Sequence, residues 1–423
     1  MFYFTPKDAQ HVMTKTSLAK SEIKILLLEG VHPSAAESFV ADGYTKIEAY
    51  EKALPEARLL DRIQDAYFLG IRSRTALTAE VLNQGAKLIG IGCFCIGTNQ
   101  VDLEAAQQLG IPVFNAPFSN TRSVAELVLA EIILLLRDIP HKNALTHAGR
   151  WLKSAAHAYE ARGKRLGIVG YGHIGTQVGL LAEALGMQVI FYDIETKLAL
   201  GNAQPVKSLE ALLEMADIVT LHVPETTQTR HMIDAEQLAR MRPGSVLINT
   251  ARGSVVAIDA LTHALQTGHL AGAALDVFPE EPKSNEEEFM SPLRQFDNVL
   301  LTPHIGGSTL EAQHNIGREV AAKLIKYSNN GSTLSSVNFP EVSLPEHPGK
   351  HRLLHIHHNK PGMLSQVNDI FSKGQINIAA QYLQTNSKIG YVVIDIDGDA
   401  AISDIALRKL RKIDGTIRAR ILY

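Results

Sequence analysis

Three short segments of this chain carry side chains suited to moving a proton and a hydride. Thr250-Ala251-Arg252-Gly253 supplies a guanidinium, Asp276 and Glu280-Glu281-Pro282 supply carboxylates, and Thr302-Pro303-His304-Ile305-Gly306-Gly307 supplies an imidazole. Taking hydride from an alcohol requires a base for the hydroxyl proton, and histidine is the side chain whose ordinary pKa suits neutral pH. A carboxylate beside the ring orients it and stabilises its charged form, while a guanidinium grips a substrate carboxylate through paired hydrogen bonds. Taken singly, Arg252 reads as a surface ion-pair residue, Glu281 as a solvated acid near the run Glu286 to Glu288, and His304 as a turn residue after a proline. Their shared placement favours chemistry, because each segment follows an apolar, strand-like run.

Those runs belong to a repeating strand–helix pattern centred on one stretch. Leu166 to Val169 leads into Gly170-Tyr171-Gly172-His173-Ile174-Gly175, a helix-like segment ends at Gly186, and a second apolar run from Gln188 to Tyr192 closes on Asp193. In a dinucleotide site, Gly170 would permit the tight turn, Gly172 the approach of backbone to a pyrophosphate, and Gly175 the packing of helix on strand. The helix N-terminus offers free N–H groups to the anion. Asp193 is placed for the ribose hydroxyls and favours NAD over NADP, since a carboxylate repels a 2′-phosphate; Lys197 softens that preference. Four further strands are predicted at 217–223, 245–249, 271–277 and 298–301, which completes the six of a doubly wound Rossmann-type α/β domain. Ligands of such sheets sit beyond the carboxyl ends of the strands, where Arg252, Asp276, Glu281 and His304 fall.

The N-terminal third alternates strands at 23–30, 66–71, 87–94 and 112–114 with helical segments at 33–41, 78–82 and 102–109. This predicts a second, flavodoxin-like parallel sheet without a glycine fingerprint, hence a substrate-side or structural domain in preference to a second nucleotide site. Arg72-Ser73-Arg74 follows one of its strands, and paired arginines suit a dianionic phosphate; the bland alternative is an exposed basic turn. Asn120, in the segment joining the two domains, is a further candidate contact. A long helix is expected from Thr121 to about His147, and another from Ser308 to Tyr327 that returns to the first domain and makes it discontinuous. Ser328 to Ser332 and Pro340 to Gly349 read as a linker. From His351 to Tyr423 the order is βαββαβ, that of a ferredoxin-like module. The expected domains are therefore 1–120 with a return segment 307–348, 121–306, and 350–423.

Composition bounds the rest. A chain of 423 residues with 45% hydrophobic side chains suggests about three domains, and a net charge of −3 calls for neither nucleic acid nor a membrane surface. Cys93 and Cys95, the two cysteines, suit neither a disulfide framework nor a zinc site, so a reducing, cytoplasmic setting is expected. Met1 to Lys24 lacks the apolar core of a signal peptide and reads as a loose extension. The apolar run Val124 to Leu136 is interrupted by Glu126 and Glu131 and falls short of the roughly 20 residues of a membrane span. His351, His355, His357 and His358 suggest a metal, but His355 and His357, on one strand face, lack acidic or thiol partners, so no metal is expected. Trp151 reads as a packing or subunit-contact residue.

The segments GYGHIG, NTARGSVV, ALDVFPEEP and LTPHIGGS, in this order, resemble the D-2-hydroxyacid dehydrogenase family, as do Cys93 to Asp102, FNAPFSNTRSVAE and the C-terminal module. The resemblance covers nearly the whole chain. It implies Arg252, Glu281 and His304 as the catalytic trio, with Glu281 preferred to Glu280 because the family acid directly precedes the proline. It implies NAD contacts from His173, Ile174, Asp193, Thr250, Ala251, Asp276, Gly306 and Gly307, and substrate-phosphate contacts from Arg72, Ser73 and Arg74. The C-terminal module resembles an ACT domain, which implies L-serine bound by His357, Asn359 and Asn377 between paired modules, and hence a homo-oligomer, expected as a tetramer. The implied substrate is 3-phosphoglycerate, with a side activity on 2-oxoglutarate. Two alternatives remain at this level: a dehydrogenase of an unphosphorylated hydroxy acid, which would not need Arg72 and Arg74, and a non-enzymatic nucleotide-sensing scaffold.

Overall fold

The structure is a computed structural model that describes residues 18–282, 284–346, 350–398 and 400–422. The extension read at Met1 to Lys24 therefore lies mostly outside the described residues; within it, Lys20 pairs with Asp42 at 2.7 Å and Lys24 opens the first strand. Contacts divide the chain into two compact units, Met1–Pro117 with His314–Tyr423, and Phe118–Gln313.

The first unit holds two sheets. β1 (Lys24–Leu27), β2 (Lys46–Ala49), β3 (Phe68–Ile71), β4 (Gly90–Cys93) and β5 (Val113–Asn115) form a parallel sheet in the order β2-β1-β3-β4-β5. Alternation assigns its faces: Leu26, Leu69, Ile91 and Val113 enter one core, and Ile25, Leu27, Phe68 and Phe114 enter the other. The second face is covered by the helix Leu310–Asn330 through Ile316, Val320, Leu324 and Tyr327, so this domain is assembled from two distant stretches of chain. β2 was missed in the sequence because it is a polar edge strand, Lys46-Ile47-Glu48-Ala49, with no apolar run to mark it.

In the second unit β6 (Arg165–Val169), β7 (Gln188–Tyr192), β8 (Gln204–Pro205), β9 (Ile218–Leu221), β10 (Ser245–Asn249), β11 (Leu270–Leu275) and β12 (Val299–Leu301) form a parallel sheet ordered β12-β11-β10-β9-β6-β7-β8. All six expected strands are present, and the two-residue β8 extends the edge. The single long helix expected from Thr121 to His147 is instead two, Thr121–Leu136 and Ile139–His147. Pro140 cannot donate to the carbonyl of Leu136 and its ring would clash there, so Asp138 turns the chain at φ 53°.

The C-terminal sheet, in the first unit, comprises β13 (His351–His358), β14 (Ile378–Thr385), β15 (Ile389–Ile396) and β16 (Thr416–Leu422) in the antiparallel order β14-β15-β13-β16. The helices Met363–Lys373 and Ala400–Leu410 cover one face through Val367, Phe371, Ala406 and Leu410. Its other face, with Leu354, Ile356, Tyr391 and Val393, joins the core of Tyr327, Phe339 and Val342.

The stretches read as a linker are therefore packed structure. Ser328 to Asn330 finish a helix, and Ser332, like Thr333, Ser336 and Asn338 between the two stretches, is buried because it has a hydrogen-bonding partner; Thr333 Oγ1 donates to the Pro340 carbonyl at 2.6 Å. Arg352, fully buried, donates to both oxygens of Asp395 at 2.6 Å and to the carbonyls of Asn330 and Pro345. Residues 347–349 of that stretch lie outside the described residues.

Candidate active site

Three neighbouring strands of the seven-stranded sheet deliver the acid, the base and the cation to one rim. β10 ends at Asn249, whose buried amide accepts from Ala251 N and donates to the Arg252 carbonyl, both at 3.0 Å; this side-chain turn fixes the path on which Arg252 stands. Arg252 donates from Nη1 to the Ala251 carbonyl at 2.7 Å, and its other N–H groups find no acceptor among the described residues. β11 ends at Leu275 and is followed by Asp276, which is 2% exposed. The Asp276 carboxylate accepts from Thr302 Oγ1 at 2.7 Å, Ile305 N at 2.8 Å and Gly306 N at 2.8 Å. Asp276 thereby ties down the loop after β12, and His304 sits inside that loop at φ 55°, a conformation a side chain rarely adopts unless its surroundings enforce it.

His304 Nδ1 meets Glu281 at 2.9 Å from Oε2 and 3.1 Å from Oε1, and Glu281 Oε1 also accepts from Phe278 N at 3.1 Å. The hydrogen bond from Glu281 pushes the His304 pKa up, against partial burial and the Arg252 charge, which pull it down. For Glu281, burial pushes the carboxyl pKa up but is outweighed by the His304 hydrogen bond and charge, and the net shift is downward. The His304 side chain is 52% exposed, so solvent screens this pair. Arg252, Glu281 and His304 line one cavity of about 300 Å³, joined there by Arg230 and His231. Arg230 and His231 were missed in the sequence because they follow β9 in a polar loop with no motif to single them out.

Glu131 was also missed, having been read as an interruption of an apolar run. It lies on the same stripe of the helix Thr121–Leu136 as Val124 and Val128, is 2% exposed, and neither carboxylate oxygen has a hydrogen-bonding partner among the described residues. Burial, reinforced by the charge of Asp276, pushes its pKa up to about 8, so it carries its proton at neutral pH.

The fingerprint stretch has the shape a dinucleotide needs. Gly170 turns at φ 90°, a Cβ on Gly175 would meet the Gly170 carbonyl at 2.2 Å, and the space a Cβ on Gly172 would occupy is open. Gly172 caps the helix His173–Ala184 without a side-chain bond to its first N–H groups. Asp193 accepts Tyr171 N at 2.8 Å and Glu195 N at 2.9 Å on separate oxygens, which keeps a lone pair on each for ribose. Lys197 is held by Glu195 at 2.5 Å. The exposed His173 lies against Phe118 with centroids 3.8 Å apart and the rings tilted by 40°, Ile174 is half-buried beside it, Thr250 Oγ1 is buried with no hydrogen-bonding partner among the described residues, Ala251 is buried, and Gly307 lies against Asn120. The residues present fit NAD.

In the first unit, Arg72, Ser73 and Arg74 follow β3 directly. In the C-terminal sheet, Asn359 Nδ2 donates to the Asn386 carbonyl at 2.8 Å near the buried His357, whereas Asn377 donates to Asp397 at 2.6 Å beyond the opposite end of the strands. β13 and β14 are both antiparallel to β15, so eight residues at about 3.3 Å each put the two ends about 25 Å apart. One chain does not bring these three residues together. Among the described residues no group of three or more His, Cys, Asp or Glu side chains is arranged to hold a metal, and no helix is long and apolar enough to cross a membrane.

Comparison with known proteins agrees with this arrangement. Residues 129–306 match the D-isomer specific 2-hydroxyacid dehydrogenase, NAD binding domain, and residues 353–418 match the AHAS small subunit-like ACT domain. The chain is 62% identical over 411 residues to the D-3-phosphoglycerate dehydrogenase of Escherichia coli (strain K12), covering 97% of this chain and 100% of that one. It is 47% identical to the D-3-phosphoglycerate dehydrogenase of Dictyostelium discoideum, covering 96% and 99%. Among solved structures, D-lactate dehydrogenase from Aquifex aeolicus, complexed with NAD and lactic acid, superposes with a TM-score of 0.63 at 30% identity, covering 72% of this chain and 95% of that one.

Proposed function

The chain belongs to the D-isomer specific 2-hydroxyacid dehydrogenases, among the D-3-phosphoglycerate dehydrogenases, and on that premise we propose that it oxidises D-3-phosphoglycerate to 3-phosphohydroxypyruvate with NAD. The observation that carries the reading is the His304–Glu281 pair sharing a cavity with Arg252 at the strand ends of an NAD-binding sheet. Arg252 holds the substrate carboxylate, and neutral His304 takes the hydroxyl proton at Nε2 because Nδ1 is engaged by Glu281. Glu281 stabilises the imidazolium that results, and Asp276 keeps the His304 loop in place. Gly170, Gly172 and Gly175 with the helix N-terminus hold the pyrophosphate of NAD, Asp193 holds its ribose, and His173, Ile174, Thr250, Ala251, Gly306 and Gly307 complete its contacts. Bound NAD supplies the hydride acceptor. Arg72, Ser73 and Arg74 take the substrate phosphate, and Asn120 adds a contact. On this assignment, 1–120 with 307–348 binds substrate, 121–306 binds NAD and 350–423 is regulatory. NADH formation with a panel of hydroxy acids tests the reaction: 3-phosphoglycerate should far exceed D-glycerate and D-lactate, and no signal with 3-phosphoglycerate under alkaline, product-trapping conditions removes the reading. The same panel run in reverse tests a weaker reduction of 2-oxoglutarate.

The C-terminal module, we infer, binds L-serine, the end product of the pathway this reaction opens, and lowers activity when it does. The wide separation of Asn377 from His357 and Asn359 supports a site shared between two modules. β14 is an edge strand, and two copies joined antiparallel along it would bring Asn377 of one chain toward the 357–359 end of the other. This makes the protein a homo-oligomer, a tetramer if a second interface exists, working in the cytoplasm. Serine must then bind the less active arrangement better. Titration calorimetry showing no heat with serine, alongside unchanged activity, leaves the module a dimerisation role alone.

A further inference from the structure

The loop carrying Arg72, Ser73 and Arg74 follows β3, and the chain beyond each strand flanking β3 sends one side chain to hold it. From beyond β1, the Glu29 carboxylate accepts Arg74 N on Oε2 at 2.9 Å and Thr75 N on Oε1 at 2.8 Å. From beyond β4, Gln100 Nε2 donates to the Arg72 carbonyl at 2.5 Å. Glu29 is 8% exposed and sits at φ 66°, in the left-handed region that disfavours any residue with a Cβ. Two charge-assisted hydrogen bonds offset that strain. The negative charge of Glu29 opposes an anionic ligand at the neighbouring arginines, so its contribution there is geometric.

A second consequence is chemical. The N–H groups of Arg74 and Thr75 are engaged by Glu29, so a phosphate at this loop is held by guanidinium and hydroxyl side chains and not by those two amides. We propose that Glu29 is a positioning residue that presets the Arg72–Arg74 loop for a phosphate monoester and thereby sets the preference for a phosphorylated over an unphosphorylated hydroxy acid. The proposal rests on the assignment of the substrate phosphate to Arg72, Ser73 and Arg74.

The test uses the full chain with Glu29→Ala, and with Glu29→Gln, which keeps one acceptor oxygen and is the milder change should the first fold poorly. KM and kcat are measured with 3-phosphoglycerate and with D-glycerate, together with hydrogen exchange at the amides of Arg74 and Thr75. Glu29→Ala should raise KM for the phosphorylated acid about tenfold, the equivalent of about 1.4 kcal/mol, leave kcat and the D-glycerate KM nearly unchanged, and speed exchange at both amides. Glu29→Gln should fall between. Equal KM losses on both acids, or unchanged amide protection, overturn the proposal. Arg74→Ala, measured alongside, separates the two levels. A selective KM loss there with none in the Glu29 variants overturns the clamp alone; no selective loss in Arg74→Ala withdraws the phosphate assignment, and the role of Glu29 falls with it.

Discussion

Two histidine sites in this molecule put the same side chain to opposite uses. On the rim of the seven-stranded sheet, His304 is half exposed, bonded through Nδ1 to Glu281, and its pKa is pushed up by that bond. In the C-terminal sheet, His355 and His357 stack with centroids 5.1 Å apart, both buried. Burial, then the charge of His357, pulls His355 down to about 3; burial, then the charge of His358, pulls His357 down as well. The partner decides: a carboxylate makes an imidazole a base able to hold a proton near neutral pH, and burial beside another imidazole keeps it neutral. His355 is engaged in a 2.8 Å bond between Nε2 and Thr416 Oγ1, while Nδ1 of His357 is buried with no hydrogen-bonding partner among the described residues.

The largest effect that would break this contrast comes from removing the base. His304→Ala should lower kcat by about 10²–10⁴-fold and leave NADH affinity almost unchanged, whereas near-normal turnover would sink the assignment. A smaller effect sharpens the other side. Asn359→Ala, next to the neutral pair, should weaken inhibition by serine about tenfold, the loss of roughly one charge-assisted hydrogen bond, while catalysis is spared; a matching fall in kcat would mean the module supports the fold and not regulation.

The fold and the site were legible to different depths. The βαββαβ order of the C-terminal module was legible because short apolar runs such as Leu353 to Ile356 and the helix Met363–Lys373, with its apolar stripe, stand out in the sequence. Arg252, the Glu280-Glu281 pair and His304 were legible as candidates from topology, since each follows a strand of the sheet, and the choice of Glu281 over Glu280 came from the resemblance. Contacts made by polar atoms were not. Ser328 to Ser332 and Pro340 to Gly349 read as linker because what packs them is a set of hydrogen bonds between polar atoms, such as Ser332 Oγ with the Val342 carbonyl at 3.0 Å, and the bonds of Asn338 between the two stretches reach as far as Val113 N, at 2.8 Å. The three bonds of Asp276 and the grip of Glu29 on its loop likewise join segments far apart in sequence, which no local pattern announces.

The central claim is that Glu281 makes His304 the base, and its most direct test is an NMR titration of the imidazoles in the intact protein and in Glu281→Gln. A raised pKa means that the base form of His304, and with it the rate of alcohol oxidation, grows as pH rises through a midpoint above 6.5. Glu281→Gln should bring that midpoint to 6.5 or below, with the acid limb of kcat/KM moving by the same amount, while His355 stays neutral down to about pH 3 in both proteins. A His304 midpoint unmoved by the substitution, or an acid limb that does not follow it, would contradict the account.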